Sequence, residues 1–135
     1  MITFEYIGIR DLNIGIAEKL WLNNAIRSEG FVPGEVSYQF CNDDYMLSQN
    51  MQYLNHDTYT DIITFDYNVG NVVNGSVLIS VDRVRENSEK FGVDFFNELH
   101  RVLVHGAMHL CGYKDKTDEE SKLMRQKENE YLSKL

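Results

Sequence analysis

Apolar and polar residues alternate at the start of the chain: Ile2, Phe4 and Tyr6 against Thr3 and Glu5. That period of two predicts a half-buried strand over residues 2–7. Asp11 or Asn13 is then placed to cap a helix whose apolar face includes Ile16, Ala17, Leu20, Trp21 and Ala25, ended by Gly30. Trp21 reads as a core anchor there rather than as a stacking platform. Val36, Tyr38 and Phe40 alternate with Glu35, Ser37 and Gln39, a second strand. Asp43 or Asp44 caps a short helix with Leu47, Met51 and Leu54 as its core stripe. Residues 60–67 are nearly continuous in Ile62, Ile63 and Phe65, as in a strand covered on both faces. An Asn- and Gly-rich turn over 68–75 leads to a fourth strand at 77–81, and the two strands pair as a hairpin.

Helical periods take over after residue 81. Asp82 caps a helix closed by Gly92, and Asp94 caps the next one. Along that second helix Phe95, Phe96, Leu99, Leu103 and Leu110 face the core, while Glu98, Arg101, His105 and His109 share another side. Thr117 and Glu120 have capping-box spacing and begin a last amphipathic helix that uses Leu123, Met124 and Tyr131. The pattern predicts one α+β (mixed α/β) domain over residues 1–135, a four-stranded mixed sheet packed with about five helices.

The chemistry concentrates between residues 105 and 115, which read His-Gly-Ala-Met-His-Leu-Cys-Gly-Tyr-Lys-Asp. On a helix, His105 and His109 stack one turn apart on one face, close enough to grip one ion. Gly112 stops the helix in a left-handed cap, and the reversed chain returns Asp115 toward the same point. H-x-x-x-H-x-x-G-x-x-D is the ligand spacing of a metzincin-type zinc site with Asp as third ligand. Three protein ligands leave a fourth position for water or substrate, which marks a catalytic site. The residue after the first His, where zinc peptidases carry a Glu base, is Gly106. The spacing therefore argues for a metal hydrolase and Gly106 against an ordinary zinc peptidase. Paired histidines on an exposed helix face that bind nothing are the plain alternative, but the turn glycine and the acid at ligand spacing weigh against it.

Composition alters this picture at one point. The chain carries a net charge of −8 over 135 residues. Phosphate contacts supply most of the affinity of nucleic-acid binders, so charge alone points away from a nuclease. It leaves room for a small basic cleft or for recruitment to RNA by a partner; Lys114, Lys116, Lys122, Arg125 and Lys127 cluster around and after the motif. Cys41 and Cys111 read as reduced core residues rather than a disulfide framework. No apolar run approaches membrane-spanning length and no basic-then-apolar signal opens the chain, so the expected setting is soluble and cytoplasmic.

The motif closely resembles the H-G-x-L-H-L-x-G-Y-D-H signature of the YbeY family of rRNA maturation factors. Thr60-Asp61-Ile62-Ile63-Thr64-Phe65 is similar to that family's T-[DN]-V-L-S-F strand, and Gly75-Ser76-Val77-Leu78-Ile79 to its G-D-I-x-I strand. Order and spacing agree from about residue 47 to 115. The resemblance implies a zinc-dependent, single-strand-specific endoribonuclease of late ribosome maturation, which processes the three-prime end of small-subunit (16S) rRNA. It implies one zinc per chain, held by His105, His109 and Asp115, and ribosomal RNA or a ribosomal subunit precursor as partner, with ribosomal proteins as further candidates. It places the strand carrying Asp61 and Thr64 beside the metal cleft, which makes them candidate substrate-binding residues; Lys114 and Lys116 of the basic cluster are further candidates for contacts to an RNA backbone.

Three positions depart from the family pattern. The third ligand is usually His and here is Asp115, a competent zinc ligand whose negative charge lowers the site's Lewis acidity. An Arg common before the T-D strand is Leu54, and His56, near a basic position of the pattern, becomes the catalytic candidate. The Asp of G-D-I is Ser76. The general base stays open between a metal-bound hydroxide, His56 and the RNA's own two-prime hydroxyl. Two other readings stand beside this one: a metal-dependent peptidase or amide hydrolase, and a non-catalytic ribosome-assembly factor whose acidic surface suits basic ribosomal proteins.

Overall fold

A computed structural model describes residues 1–54 and 60–135. The elements run β1 (Ile2–Tyr6), α1 (Ile16–Ser28), β2 (Val32–Cys41), α2 (Asp43–Gln49), a π-helical turn (Asn50–Leu54), β3 (Ile62–Asp66), β4 (Val72–Ser80), α3 (Val81–Phe91), α4 (Phe95–Leu110) and α5 (Asp118–Leu132). They form an α+β domain around one mixed sheet of order β1-β2-β4-β3. β1 and β4 both pair parallel to β2, and β3 pairs antiparallel to β4 as the expected hairpin. No helix of the described residues is long and apolar enough to cross a membrane.

The period of two in the strands sorts side chains to two apolar layers. On the larger side Tyr38, Phe40, Val77 and Ile79 pack with Trp21, Leu22, Leu99, Leu103, Met108, Met124 and Tyr131. The smaller side holds Cys41, Met46, Ile63 and Leu78. Ile62 and Ile63 thus divide between the layers, which is why this edge strand reads as continuously apolar. Trp21 is a core residue, and its indole N–H donates to the Tyr131 carbonyl at 2.7 Å.

Several local expectations shift. β4 begins at Val72 rather than 77, because the Asn-rich segment itself pairs: Val32 N–H donates to the Asn71 carbonyl, and the Asn74 side chain accepts from Glu35 N–H. The face of α1 is Trp21, Leu22, Ala25 and Ile26, whereas Ile16 and Leu20 are exposed. Met46 is the buried residue of α2, and Met51 is exposed. Phe96 and Leu123 likewise lie largely on the surface. Gly15, Asn42 and Ser80 are the N-caps of α1, α2 and α3: Gly15 comes two residues after Asn13, the later of the two caps expected for α1, whereas Asn42 and Ser80 precede the Asp residues expected there. Asp94, the Thr117–Glu120 capping box and Gly92 at φ +66° stand as the sequence predicts.

α4 lies unusually close to the hairpin because two glycines make room for it. A Cβ on Gly106 would sit 2.9 Å from Val77 Cγ1 and 3.1 Å from Ile62 Cδ1. A Cβ on Gly75 would meet Leu110 Cδ2 at 2.8 Å. Tyr38 adds a hydrogen bond from β2, its hydroxyl donating to the Leu103 carbonyl at 2.8 Å. The helix carrying both motif histidines is therefore fixed along its length.

Candidate metal centre

α4 ends in two interlocking hydrogen bonds, Gly112 N–H to the His109 carbonyl and Tyr113 N–H to the Met108 carbonyl, both at 3.0 Å. This is the Schellman closure, and it requires the left-handed backbone that Gly112 takes at φ +103°. The chain then reverses, and Ser121 at the start of α5 donates its hydroxyl to the Asp115 carbonyl at 2.9 Å. Asp115 is brought back over the helix it has just left.

The result is a convergence of three atoms. His105 Nε2 and His109 Nε2 are 2.9 Å apart, and Asp115 Oδ2 lies 3.2 Å from the first and 3.3 Å from the second. The other ring nitrogens decide their chemistry. His109 Nδ1 faces the Tyr113 carbonyl at 2.9 Å, an acceptor only, so Nδ1 carries the proton. His105 Nδ1 faces Glu128 Oε2 at 2.7 Å and donates to it. With a proton on each Nδ1, each ring in its metal-binding neutral form points a bare Nε2 lone pair at the other and at a carboxylate oxygen. Three acceptors without a donor among them fit a divalent cation. Their spacing is near the roughly 3.3 Å edge of a tetrahedron with bonds of about 2.0–2.1 Å, the geometry of zinc. Among the described residues these three form the group able to hold a metal.

The supports behind the triad come from α5 and α1. Glu128 is buried, and besides His105 it accepts from the Arg101 guanidinium at 2.9 Å, while Arg101 also donates to Asn129. Burial alone would raise the Glu128 carboxyl, but His105 and Arg101 outweigh it and hold its pKa below the ordinary range. Burial likewise opposes charge on His105, yet the hydrogen bond and charge of Glu128, joined by Asp115 and Asp61, hold its pKa above the ordinary value. Behind His109, the Tyr113 hydroxyl donates to Glu29 at 2.5 Å, and Glu29 also accepts from Tyr131 and from Lys127. The loop that supplies the His109 acceptor is thereby tied to the end of α1.

Of the residues singled out in the sequence, Asp61 lines a cleft with His105, Glu98, Arg101 and Arg125, and burial pushes its carboxyl pKa up. Thr64 pairs opposite Val77 within the hairpin and lines neither cleft that touches His105. Lys114 and Lys116 are exposed on either side of Asp115 and form no ion pair among the described residues. His56 lies outside the described residues. Glu128, Glu29 and the Tyr113 carbonyl escape the motif reading because their roles depend on how α5 and α1 dock, and only the periodic face of α5 hints at the first.

A model of the family described as endoribonuclease YbeY matches residues 11–135. The chain belongs to that family. A Flavobacterium psychrophilum endoribonuclease YbeY is 48% identical over 136 residues, covering 98% of this chain and 94% of the relative. The Bacteroides thetaiotaomicron endoribonuclease YbeY is 44% identical over 133 residues, with 98% and 97% covered. The solution structure of a Thermotoga maritima protein superposes with a TM-score of 0.67 at 28% identity, over 98% of this chain and 87% of that one. The YbeY resemblance read from residues 47–115 thus extends over nearly the whole chain.

Proposed function

We propose that this YbeY-family chain is a zinc-dependent endoribonuclease specific for single strands, which acts in the cytoplasm late in ribosome maturation at the three-prime end of small-subunit rRNA. Its substrate in this reading is ribosomal RNA within a subunit precursor, and ribosomal proteins are its further partners. The observation that carries the proposal is the convergence of His105 Nε2, His109 Nε2 and Asp115 Oδ2 on one point at the edge of two open clefts.

His105, His109 and Asp115 would hold the ion, which when bound supplies a Lewis acid for a phosphoryl oxygen and lowers the pKa of water. Glu128 and the Tyr113 carbonyl keep each Nδ1 protonated and each Nε2 aimed at the ligand position. Asp61, which lines the same cleft as His105, would accept a hydrogen bond from a ribose hydroxyl near the scissile phosphate. Arg125, exposed at the cleft mouth, and Lys114 and Lys116, flanking Asp115, supply the local positive charge that a chain of net charge −8 otherwise lacks.

The peptidase reading loses its base. Gly106 packs onto Val77 and Ile62, so position 106 points into the sheet and has no space for a Glu. The test is an assay of zinc-loaded protein on a small-subunit rRNA fragment with a three-prime extension and on unstructured peptides, with His109→Ala as control. The proposal expects cleavage of RNA in single-stranded segments by the wild type, none by folded His109→Ala, and no peptide cleavage by either. Peptide cleavage, or RNA cleavage retained in His109→Ala, would overturn it.

A further inference from the structure

One carboxyl beside the metal centre has no assigned task. Glu98 sits on α4 two turns before His105, only 6% exposed. Its carboxylate makes no hydrogen bond or ion pair among the described residues, a rare condition for a charge-bearing side chain on so buried a residue. What remains of its surface opens into the cleft of about 210 Å³ that Asp61, Arg101, His105 and Glu128 also line. Burial raises the Glu98 pKa, and Arg101 pulls it back down. An acceptor on a buried residue that opens into a cleft and has no protein partner suits a ligand that donates hydrogen bonds.

The rest of the cleft narrows what that ligand is. Its walls are Val102 and the ring of Phe91, an aromatic that α3 leaves 55% exposed. Asn87, one turn earlier on α3, adds a side-chain amide to the same wall. Arg101 and Arg125 line it too, so a second cation would meet two guanidinium groups. A flat ring with donors on its edge, attached to a phosphate, matches an apolar wall, an acceptor and an exposed Arg125 together.

We propose that the cleft between α3 and α4 is a nucleobase pocket in which Glu98 accepts hydrogen bonds from an amino-bearing base edge while Phe91 packs on the base's face. The pocket takes cytosine, adenine or guanine in preference to uracil, since uracil presents a carbonyl where cytosine presents N4–H₂. Single-stranded RNA is the form in which such an edge and face are both free. The inference rests on the endoribonuclease reading, and it gives that activity a base preference next to the cut.

Two measurements on zinc-loaded wild type and Glu98→Gln test it. The first is cleavage of single-stranded oligonucleotides that differ only by C or U at each position around the cut. The second is binding of CMP and UMP, followed by NMR at the amides of Asn87, Phe91 and Val102. Wild type is expected to favour C over U by about tenfold at one position, and CMP over UMP by a similar factor. Glu98→Gln, whose amide also offers a donor to the uracil carbonyl, loses both preferences while keeping its zinc content and melting temperature. Should Glu98→Gln not fold, Phe91→Ala at the exposed rim is expected to weaken CMP binding about tenfold. An unchanged C-to-U ratio and CMP affinity in Glu98→Gln would overturn the pocket, as would a second zinc equivalent bound by wild type and lost in the variant. If no RNA is cleaved but CMP still selects the cleft, the pocket stands and the endoribonuclease reading falls.

Discussion

Glu128 accepts a hydrogen bond from His105 Nδ1 at 2.7 Å, and this contact decides which nitrogen of His105 faces Asp115. With the proton held on Nδ1, Nε2 presents a lone pair to the centre of the triad. The carboxylate reaches His105 from α5, the helix that follows α4, and His105 and Arg101 together hold its pKa down.

Removing that carboxylate should weaken metal binding without touching a ligand. Glu128→Gln is expected to lower zinc affinity by about 10–100-fold, in line with other partners of metal-bound histidines. Titration against a competing chelator, with circular dichroism to confirm folding, reads the effect. Wild-type affinity in the folded variant would show that Glu128 serves packing alone.

Asp115 should matter more than its support. Asp115→Ala removes one of three ligands and is expected to lose more affinity than Glu128→Gln. Asp115→His restores an imidazole where the family pattern usually has one, and tight zinc binding should survive. The same chelator titration checks both, and equal affinities in wild type and Asp115→Ala would remove Asp115 from the site.

Gly106 tests why the base position of a peptidase is absent. Gly106→Ala puts a methyl group within 2.9 Å of Val77 Cγ1. Overpacking of about 1–3 kcal/mol is partly offset by about 1 kcal/mol from better helix propensity. A net loss of about 1 kcal/mol should appear in urea unfolding. Gly106→Glu drives an unpaired carboxylate against the sheet and should abolish folding. A stable, folded Gly106→Glu would contradict the packing argument.

The His105–Glu128 pair gives the metal-free protein a pH signature. His105 has its folded pKa raised above the ordinary 6.5. Its stabilising contribution is complete below 6.5 and is lost as pH rises through the raised value. Glu128 has its folded pKa lowered below the ordinary 4.5, so its contribution is complete above 4.5 and is lost as pH falls through the lowered value. The stability difference between wild type and Glu128→Gln, measured by urea unfolding in the presence of chelator, should peak between these limits and shrink on either side. A difference that is flat with pH would contradict the ion pair.

The parts of this molecule that were legible in its sequence are those encoded within a few residues. His105, His109, Gly112 and Asp115 lie inside one helix end and its reversal, so their convergence follows from helical spacing and a left-handed cap. Asp94 and the Thr117–Glu120 box are equally local. Where neighbouring polar residues compete for a cap, as at Asn42, Asp43 and Asp44, composition does not choose, and Asn42 takes it. The first half of β4 was hidden because Asn71 and Asn74 look like turn residues while they bond to β2. Glu128 and Glu29 act across tertiary contacts, which no periodicity along the chain reveals.

The most direct test is the zinc content of purified wild type and His109→Ala, measured by elemental analysis after exposure to excess zinc and removal of free ion. The account predicts about one zinc per wild-type chain and close to none in a folded His109→Ala. A wild type without zinc, or a His109→Ala that retains a full equivalent, would contradict it.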